Sequence, residues 1–266
     1  MKQSAINNAD KAALSRQQTS DADTIDFGYQ TVQRADKARL VRGVFDSVAS
    51  RYDLMNDLMS GGVHRLWKAA LIDWMAPQPY HKLVDLAGGT GDISLRFLRA
   101  GGGSASITDI NHEMLRAGRK RRALRHRESQ LDWCVANAER LPFRDHFCDF
   151  VTIAFGLRNV TDRQAALNEA YRVLNPGGRF LCLEFSHVDN AALGKIYDYW
   201  SFKALPVMGQ IVAGDKDSYR YLAESIRQFP TKEVLADMLA EAGFAQIRVR
   251  SLSGGIACIH SGWKLD

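Results

Sequence analysis

The chain has 266 residues, a net charge of +5, and 46% hydrophobic and 24% charged residues. That is enough chain to bury one large core, and the composition is that of a globular protein rather than a disordered or fibrous one. No apolar run approaches the ~18 residues a membrane-spanning helix requires, and the N-terminal stretch has neither the apolar segment of a secretory signal nor, with Asp10, Asp21, Asp23 and Asp26, the character of a transit peptide.

Residues 1–35 are polar and rich in Asn, Gln, Ser and Asp, and are expected to form a disordered tail ahead of a folded domain over 36–266. From Lys37 the spacing of Val41, Val44, Phe45, Val48 and Ala49 is helical. In the stretch that follows, Leu54, Leu58, Leu66 and Trp67 read as core, whereas packing does not account for Tyr52, Asp53, Asn56 and His64. Helices over 36–80, ahead of the first strand, are expected to fold across a cleft as a lid. His64, in a loop flanked by glycine, reads either as a structural hydrogen-bonding group or as a general base.

Leu83, Val84 and Leu86 read as a buried parallel strand. The run breaks into Gly88-Gly89-Thr90-Gly91, and a helical pattern begins at Ile93, Leu95, Phe97 and Leu98. Strand, glycine turn and helix form the arrangement by which a doubly wound α/β domain brings backbone close to a nucleotide. A second strand, Ala105–Asp109, ends in a carboxylate placed to accept ribose hydroxyls. A dinucleotide fingerprint would need Gly or Ala where Ser94 stands, and a pyrophosphate would want the helix N-terminus free of Asp92. Asp85, Asp92 and Asp109 suit a phosphate-free cofactor that carries an amino group and a sulfonium, which describes S-adenosylmethionine.

A helix follows from His112 to Leu124, with a dense basic run from Arg116 to Arg127. This run reads first as a solvated outer face and otherwise as a contact for anionic lipid. No aromatic residues interleave it for base stacking, so no nucleic-acid partner is expected. A third strand, Leu131–Ala138, ends in Asn137, whose amide is placed to read an adenine edge, with Leu141-Pro142-Phe143 against the ring. A fourth strand, Asp149–Phe155, runs into Gly156-Leu157-Arg158-Asn159. Ligands of open α/β sheets bind at the carboxyl ends of strands, which puts Arg158 and Asn159 beside the cofactor.

A helix over 162–173 and a Pro-Gly-Gly turn lead to a fifth strand, Arg179–Ser186. Residues 191–216 form an apolar insertion with Tyr197, Tyr199, Trp200 and Phe202, of the kind that marks a substrate, partner or membrane surface. A helix over 232–242 precedes two strands, Gln246–Leu252 and Ile256–Trp263, joined by Ser253-Gly254-Gly255 as a hairpin. The expected fold is α/β and Rossmann-like, a seven-stranded, mostly parallel sheet with a C-terminal antiparallel hairpin and helices on both faces. The four cysteines, Cys134, Cys148, Cys182 and Cys258, lie in apolar runs without CxxC spacing and read as free thiols, and no metal site is expected.

Four longer motifs carry a resemblance. They are Tyr52-Asp53-Leu54-Met55-Asn56 through Ser60, His64 and Trp67; Phe155-Gly156-Leu157-Arg158-Asn159-Val160-Thr161-Asp162; Arg172 to Gly178 through Glu184 and Ser186; and Asp217-Ser218-Tyr219-Arg220-Tyr221-Leu222. Over residues 36–266 the chain resembles the ubiquinone/menaquinone biosynthesis C-methyltransferase family of class I S-adenosylmethionine enzymes. It differs from the family's usual pattern at Asn175 (often lysine), Gly61 (often phenylalanine) and Ala154 (often serine).

The resemblance implies C-methylation of a polyprenylated quinol, 2-polyprenyl-6-methoxy-1,4-benzoquinol or demethylmenaquinol or both. It implies cofactor contacts at Thr90, Asp109, Asn137 and Ala138, and at Ala154 where a serine is common, to which the sequence reading adds Asp85, Gly89 and Gly91. Arg158 with Asn159 is expected to hold the quinol oxygen, with Tyr52, His64 and Tyr219 as further catalytic candidates. A cytoplasmic protein is expected, with peripheral contact at a bacterial inner membrane, association with other quinone-biosynthesis enzymes, or a homodimer. Alternatives are a methyltransferase for another lipophilic phenol or lipid, and a scaffold of a quinone-synthesis complex.

Overall fold

The computed structural model describes residues 23–48, 57, 60–189, 194, 197, 199 and 216–266. Its centre is a seven-stranded sheet in the order β5-β4-β3-β6-β7-β9-β8. The parallel strands are β3 (Lys82–Leu86), β4 (Ser104–Asp109), β5 (Leu131–Val135), β6 (Cys148–Ala154) and β7 (Leu174–Phe185). β9 (Ala257–Trp263) runs antiparallel to β7, and β8 (Ala245–Leu252) antiparallel to β9, so the C-terminal hairpin inserts its second strand next to the parallel set.

Alternation along β3 explains the two cores. Leu83 points into an apolar cluster that takes Trp67 and Leu71 from α2 (His64–Met75) and Ile93 and Phe97 from α3 (Asp92–Arg99). Val84 points to the other face, against Leu167 and Ala170 of one helix and Leu235 and Leu239 of another. Helices therefore cover both faces, as a buried parallel sheet requires.

The N-terminal segment departs from expectation. Residues 24–33 form an antiparallel hairpin, β1 (Thr24–Phe27) and β2 (Gln30–Gln33), rather than part of a disordered tail. Its turn uses Gly28 at φ 57°, and Phe27 stacks on Tyr221 at 4.2 Å between ring centroids. The alternating Ile25, Phe27 and Val32 were masked by the polar average of their surroundings. Helix α1 follows directly as Arg34–Val48.

The helix expected over 112–124 is two pieces, α4 (His112–Arg119) and α5 (Arg122–Arg125). At the break the Arg121 guanidinium turns inward to Thr90 O and Oγ1, at 3.2 and 3.0 Å. The remaining helices are α6 (Arg163–Val173), α7 (Lys216–Arg227) and α8 (Lys232–Glu241). Asn175, at the lysine position of the family pattern, donates its amide to Asp149 Oδ1 at 2.8 Å.

Candidate functional site

The carboxyl ends of β3, β4, β5 and β6 open into a cavity of about 510 Å³. Its floor is Ala87 to Thr90, Asp109 to Asn111, Ala136 to Glu139 and Ala154 to Gly156, with Asn159 to Asp162 along one side. Helix α1 closes another side with Ala38, Val41 and Phe45, and places Arg34 and Arg42 at the mouth. Two strand ends reach the cavity through left-handed non-glycine residues, Ala87 at φ 48° and Phe155 at φ 58°. Such backbone costs of order 1–3 kcal/mol per residue and persists where surrounding structure enforces it. Gly156 lies so close to Ala87 that an added Cβ would stand 2.7 Å from the alanine methyl, so the floor between β3 and β6 admits only glycine there.

Asp109 is the acid best presented. Its Oδ2 accepts the Gly89 N–H at 2.9 Å and its Oδ1 the Asn111 N–H at 2.8 Å. Each oxygen keeps lone-pair capacity for a hydroxyl. Burial pushes its pKa up to about 6, against the lowering effect of those two backbone bonds.

The three acids read together from sequence are divided by the structure. Asp85 is fully buried, with Ser94 Oγ and Ser94 N donating to Oδ2 at 2.8 and 3.2 Å and Thr152 Oγ1 to Oδ1 at 2.9 Å. These bonds tie β3 to Ser94 at the start of α3 and to Thr152 of β6, and Asp85 also lines the cavity. Burial raises it to about 6. Asp92 faces cations: Lys68 Nζ at 2.9 Å, Arg96 Nε at 3.4 Å and Arg121 NH2 at 3.9 Å. Burial alone would raise Asp92, but Lys68 and the two arginines hold it at about 2. This end of the cavity is therefore not the uncompensated negative wall that the sequence suggested.

Among the expected cofactor contacts, Asp85, Gly89, Thr90, Asp109, Asn137, Ala138 and Ala154 line the cavity. Gly91 does not: at φ 76° it starts α3, and an added Cβ would meet Ile107 at 2.9 Å. Asn137 Oδ1 already accepts the Glu139 N–H at 3.0 Å. Phe143 stacks on Phe147 at 4.4 Å in the second core rather than reaching the cavity.

The expected catalytic set also separates. Asn159 faces the cavity, and its Oδ1 accepts the Tyr221 hydroxyl at 3.0 Å. Arg158 turns away, with its side chain 1% exposed. Its NH1 donates to both Glu184 oxygens, at 3.0 and 2.9 Å, and to Phe155 O at 2.7 Å. Through NH1 the Arg158 side chain braces the turn that carries Asn159, rather than lining the cavity beside it. His64 sits at the start of α2, 2.8 Å from Asp57 Oδ1 and away from the cavity lining, and burial lowers its pKa. Tyr219 is buried in the first core. Tyr52 and nearly all of the 191–216 insertion lie outside the described residues.

Lys68, Arg121, Met114 and Tyr221 were missed as site residues. Lys68 and Met114 line the cavity, Arg121 holds Thr90, and Tyr221 orients Asn159. Their partners are remote in sequence, and no local spacing marks them. The four cysteines are free, and no group of metal-ligating side chains occurs among the described residues.

Comparison with known proteins extends the geometry. A structure of an S-adenosylmethionine-dependent methyltransferase of Thermotoga maritima matches 84% of this chain and 98% of its own, at TM-score 0.59 and 19% identity. The Haemonchus contortus phosphoethanolamine N-methyltransferase 2, solved with S-adenosyl-L-methionine, matches 75% of this chain and 52% of its own, at TM-score 0.56 and 13% identity. These establish the class I methyltransferase fold. The ubiquinone/menaquinone biosynthesis C-methyltransferases UbiE of Acidiphilium cryptum and Cereibacter sphaeroides are 59% and 56% identical. Each alignment covers 92% of this chain and 98% of the relative. With residues 30–264 matching the model of the ubiE/COQ5 methyltransferase family, the chain belongs to that family.

Proposed function

We propose that this protein is an S-adenosylmethionine-dependent C-methyltransferase of ubiquinone and menaquinone biosynthesis that methylates the ring of a polyprenylated quinol. The observation that carries the cofactor assignment is Asp109 at the end of β4, fixed by two backbone N–H groups and open to the cavity. The residues fit the group: Asp109 for the ribose hydroxyls, Asn137 and Ala138 for the adenine edge, and apolar Met114 and Ile110 beside them. When bound, S-adenosylmethionine supplies a methyl group already activated on a sulfonium.

With the methyl so activated, the protein's work is to align the partners and exclude water. Loss of a phenolic proton makes a quinol ring carbon more nucleophilic. Asn159, held by Tyr221, is the cavity-facing amide that meets the quinol oxygen, and Arg158 positions it through Phe155 O and Glu184. One observation favours a second reading: Arg158 Nε and NH2 are buried without a hydrogen-bond partner among the described residues. A quinol oxygen, or a water acting as base, would take these donors directly if substrate reached behind Phe155. Arg158→Lys separates the two readings, because a positioning role survives in part where a direct guanidinium contact does not.

No helix among the described residues is long and apolar enough to cross a membrane. A prenylated substrate therefore has to be met at a lipid surface or handed over by another protein. The exposed cations Arg116, Arg119, Lys120, Arg122 and Arg125 lie on α4, whose buried side walls the cavity, and along the break into α5. They support docking on anionic headgroups, at ~1 kcal/mol per cation near such a surface. The test of function is incubation of the purified protein with S-adenosylmethionine and a demethylated quinol, followed by mass analysis of the lipid product.

A further inference from the structure

We propose that Lys68 binds the carboxylate of the amino-acid end of the methyl donor, which fixes the donor's direction in the cavity. This rests on the assignment of the cavity to S-adenosylmethionine.

The inference starts from a charge imbalance. Three cations, Lys68, Arg96 and Arg121, converge on the single carboxylate of Asp92. Lys68 is the innermost of the three, with its side chain 5% exposed, and it lines the cavity together with Asp92. An ammonium has three N–H donors, and among the described residues Lys68 Nζ donates to Asp92 Oδ2 alone. The Phe155 ring centroid lies 6.0 Å from the ammonium. A buried ammonium with donors to spare beside a cavity calls for an acceptor from the ligand.

Asp109, held between Gly89 and Asn111, gives the same lining an anionic group. The lining thus holds both a carboxylate that accepts hydroxyls and a cluster with excess positive charge. A donor that carries a ribose at one end and an α-carboxylate at the other matches this polarity in one direction only. Asp92 holds Lys68 at 2.9 Å and so orients the ammonium.

Calorimetry tests the assignment without turnover. S-adenosylmethionine and its decarboxylated analogue, S-adenosyl-3-(methylthio)propylamine, differ only in the carboxylate. The wild-type protein is expected to prefer the former by about 30-fold or more, the range of a desolvated charge-assisted bond. Lys68→Met should reduce that preference to about threefold or less while leaving affinity for the analogue nearly unchanged. Lys68→Arg should restore part of it. Thermal unfolding of each variant separates misfolding from loss of contact. An undiminished preference in Lys68→Met overturns the proposal, as does an equal loss for both compounds in a folded variant, which would make Lys68 purely structural. If the wild type binds neither compound, the cavity assignment itself fails.

Discussion

Arg158 and Glu184 form a buried ion pair, with NH1 2.9 Å from Oε2 and side chains 1% and 2% exposed. Burial raises the pKa of Glu184 against the opposing pull of the guanidinium and its hydrogen bonds. Breaking such a pair by removing one partner typically costs ~3–5 kcal/mol, because the remaining charge stays buried. Glu184→Ala should lower unfolding free energy in urea by about that amount and reduce methyl transfer with it. A loss below about 1 kcal/mol would show that the pair does not brace the Asn159 turn.

Tyr221→Phe removes one hydroxyl and leaves the ring stacked on Phe27. Freed of its bond, Asn159 should sample other rotamers. The expected result is a fall in kcat of about tenfold, equivalent to ~1.4 kcal/mol, with Tm nearly unchanged. Unaltered kcat would remove Asn159 from the proposed quinol contact.

Asp85 makes the fold pH-dependent in a stated direction. Its pKa is raised from 3.8 to about 6, so the folded state holds its proton at pH values where the unfolded chain has lost it. Ionised Asp85 therefore weakens the fold above pH 6, and the penalty fades as pH falls toward 4. Asp85→Asn keeps an oxygen for Ser94 and an amide for the Thr152 hydroxyl. At pH 7.5 it should unfold at higher urea, by up to about 3 kcal/mol from the size of the shift, with the gain reduced to about 1 kcal/mol at pH 4.5. A variant destabilised equally at both pH values would contradict this. Asp92 has the opposite sign: its pKa is held at about 2, so its contribution is present above pH 3.8 and lost as pH falls toward 2.

Asp109 must be ionised to accept two hydroxyls while also bonding to Gly89 and Asn111. Its pKa near 6 implies cofactor affinity that is flat above pH 7 and falls by up to about tenfold per unit below 6. Asp109→Ala should weaken binding by ~2 kcal/mol through loss of charge-assisted bonds. Flat affinity from pH 7.5 to 5 would show that the carboxylate does not contact the ligand.

Charge reversal at Arg119, Arg122 and Arg125 together should abolish sedimentation with vesicles rich in phosphatidylglycerol. Turnover of a short-tailed, water-soluble quinol should persist. Sedimentation unchanged by the reversal would assign the basic face to solvent alone.

The sheet was legible because its signals are local. Apolar runs such as Leu83–Leu86 and Leu181–Leu183 mark buried parallel strands, and Gly88 to Gly91 marks the turn between strand and helix. The β1–β2 hairpin was not, because its stability comes from Phe27 meeting Tyr221 across most of the chain. The cavity lining was legible where a strand end alone fixes a residue, as for Asp109 and Ala154. It was not legible where side-chain direction decides. Sequence puts Arg158 and Asn159 together past β6, but a turn of 3₁₀ helix over Leu157–Asn159 sends one side chain to Glu184 and the other to the cavity. The charge of Asp92 was visible, whereas its neutralisation by Lys68 and Arg121 depends on tertiary contacts that no spacing encodes.

Methyl transfer to a quinol ring carbon is the reaction on which the function rests. Incubation with methyl-labelled S-adenosylmethionine and a prenylated demethyl-quinol, followed by lipid extraction and mass spectrometry, measures it directly. A labelled quinone carrying one additional ring-carbon methyl, absent with Asp109→Ala, is the predicted product. Tight cofactor binding with no label in any quinol, or label on oxygen rather than carbon, would contradict the account.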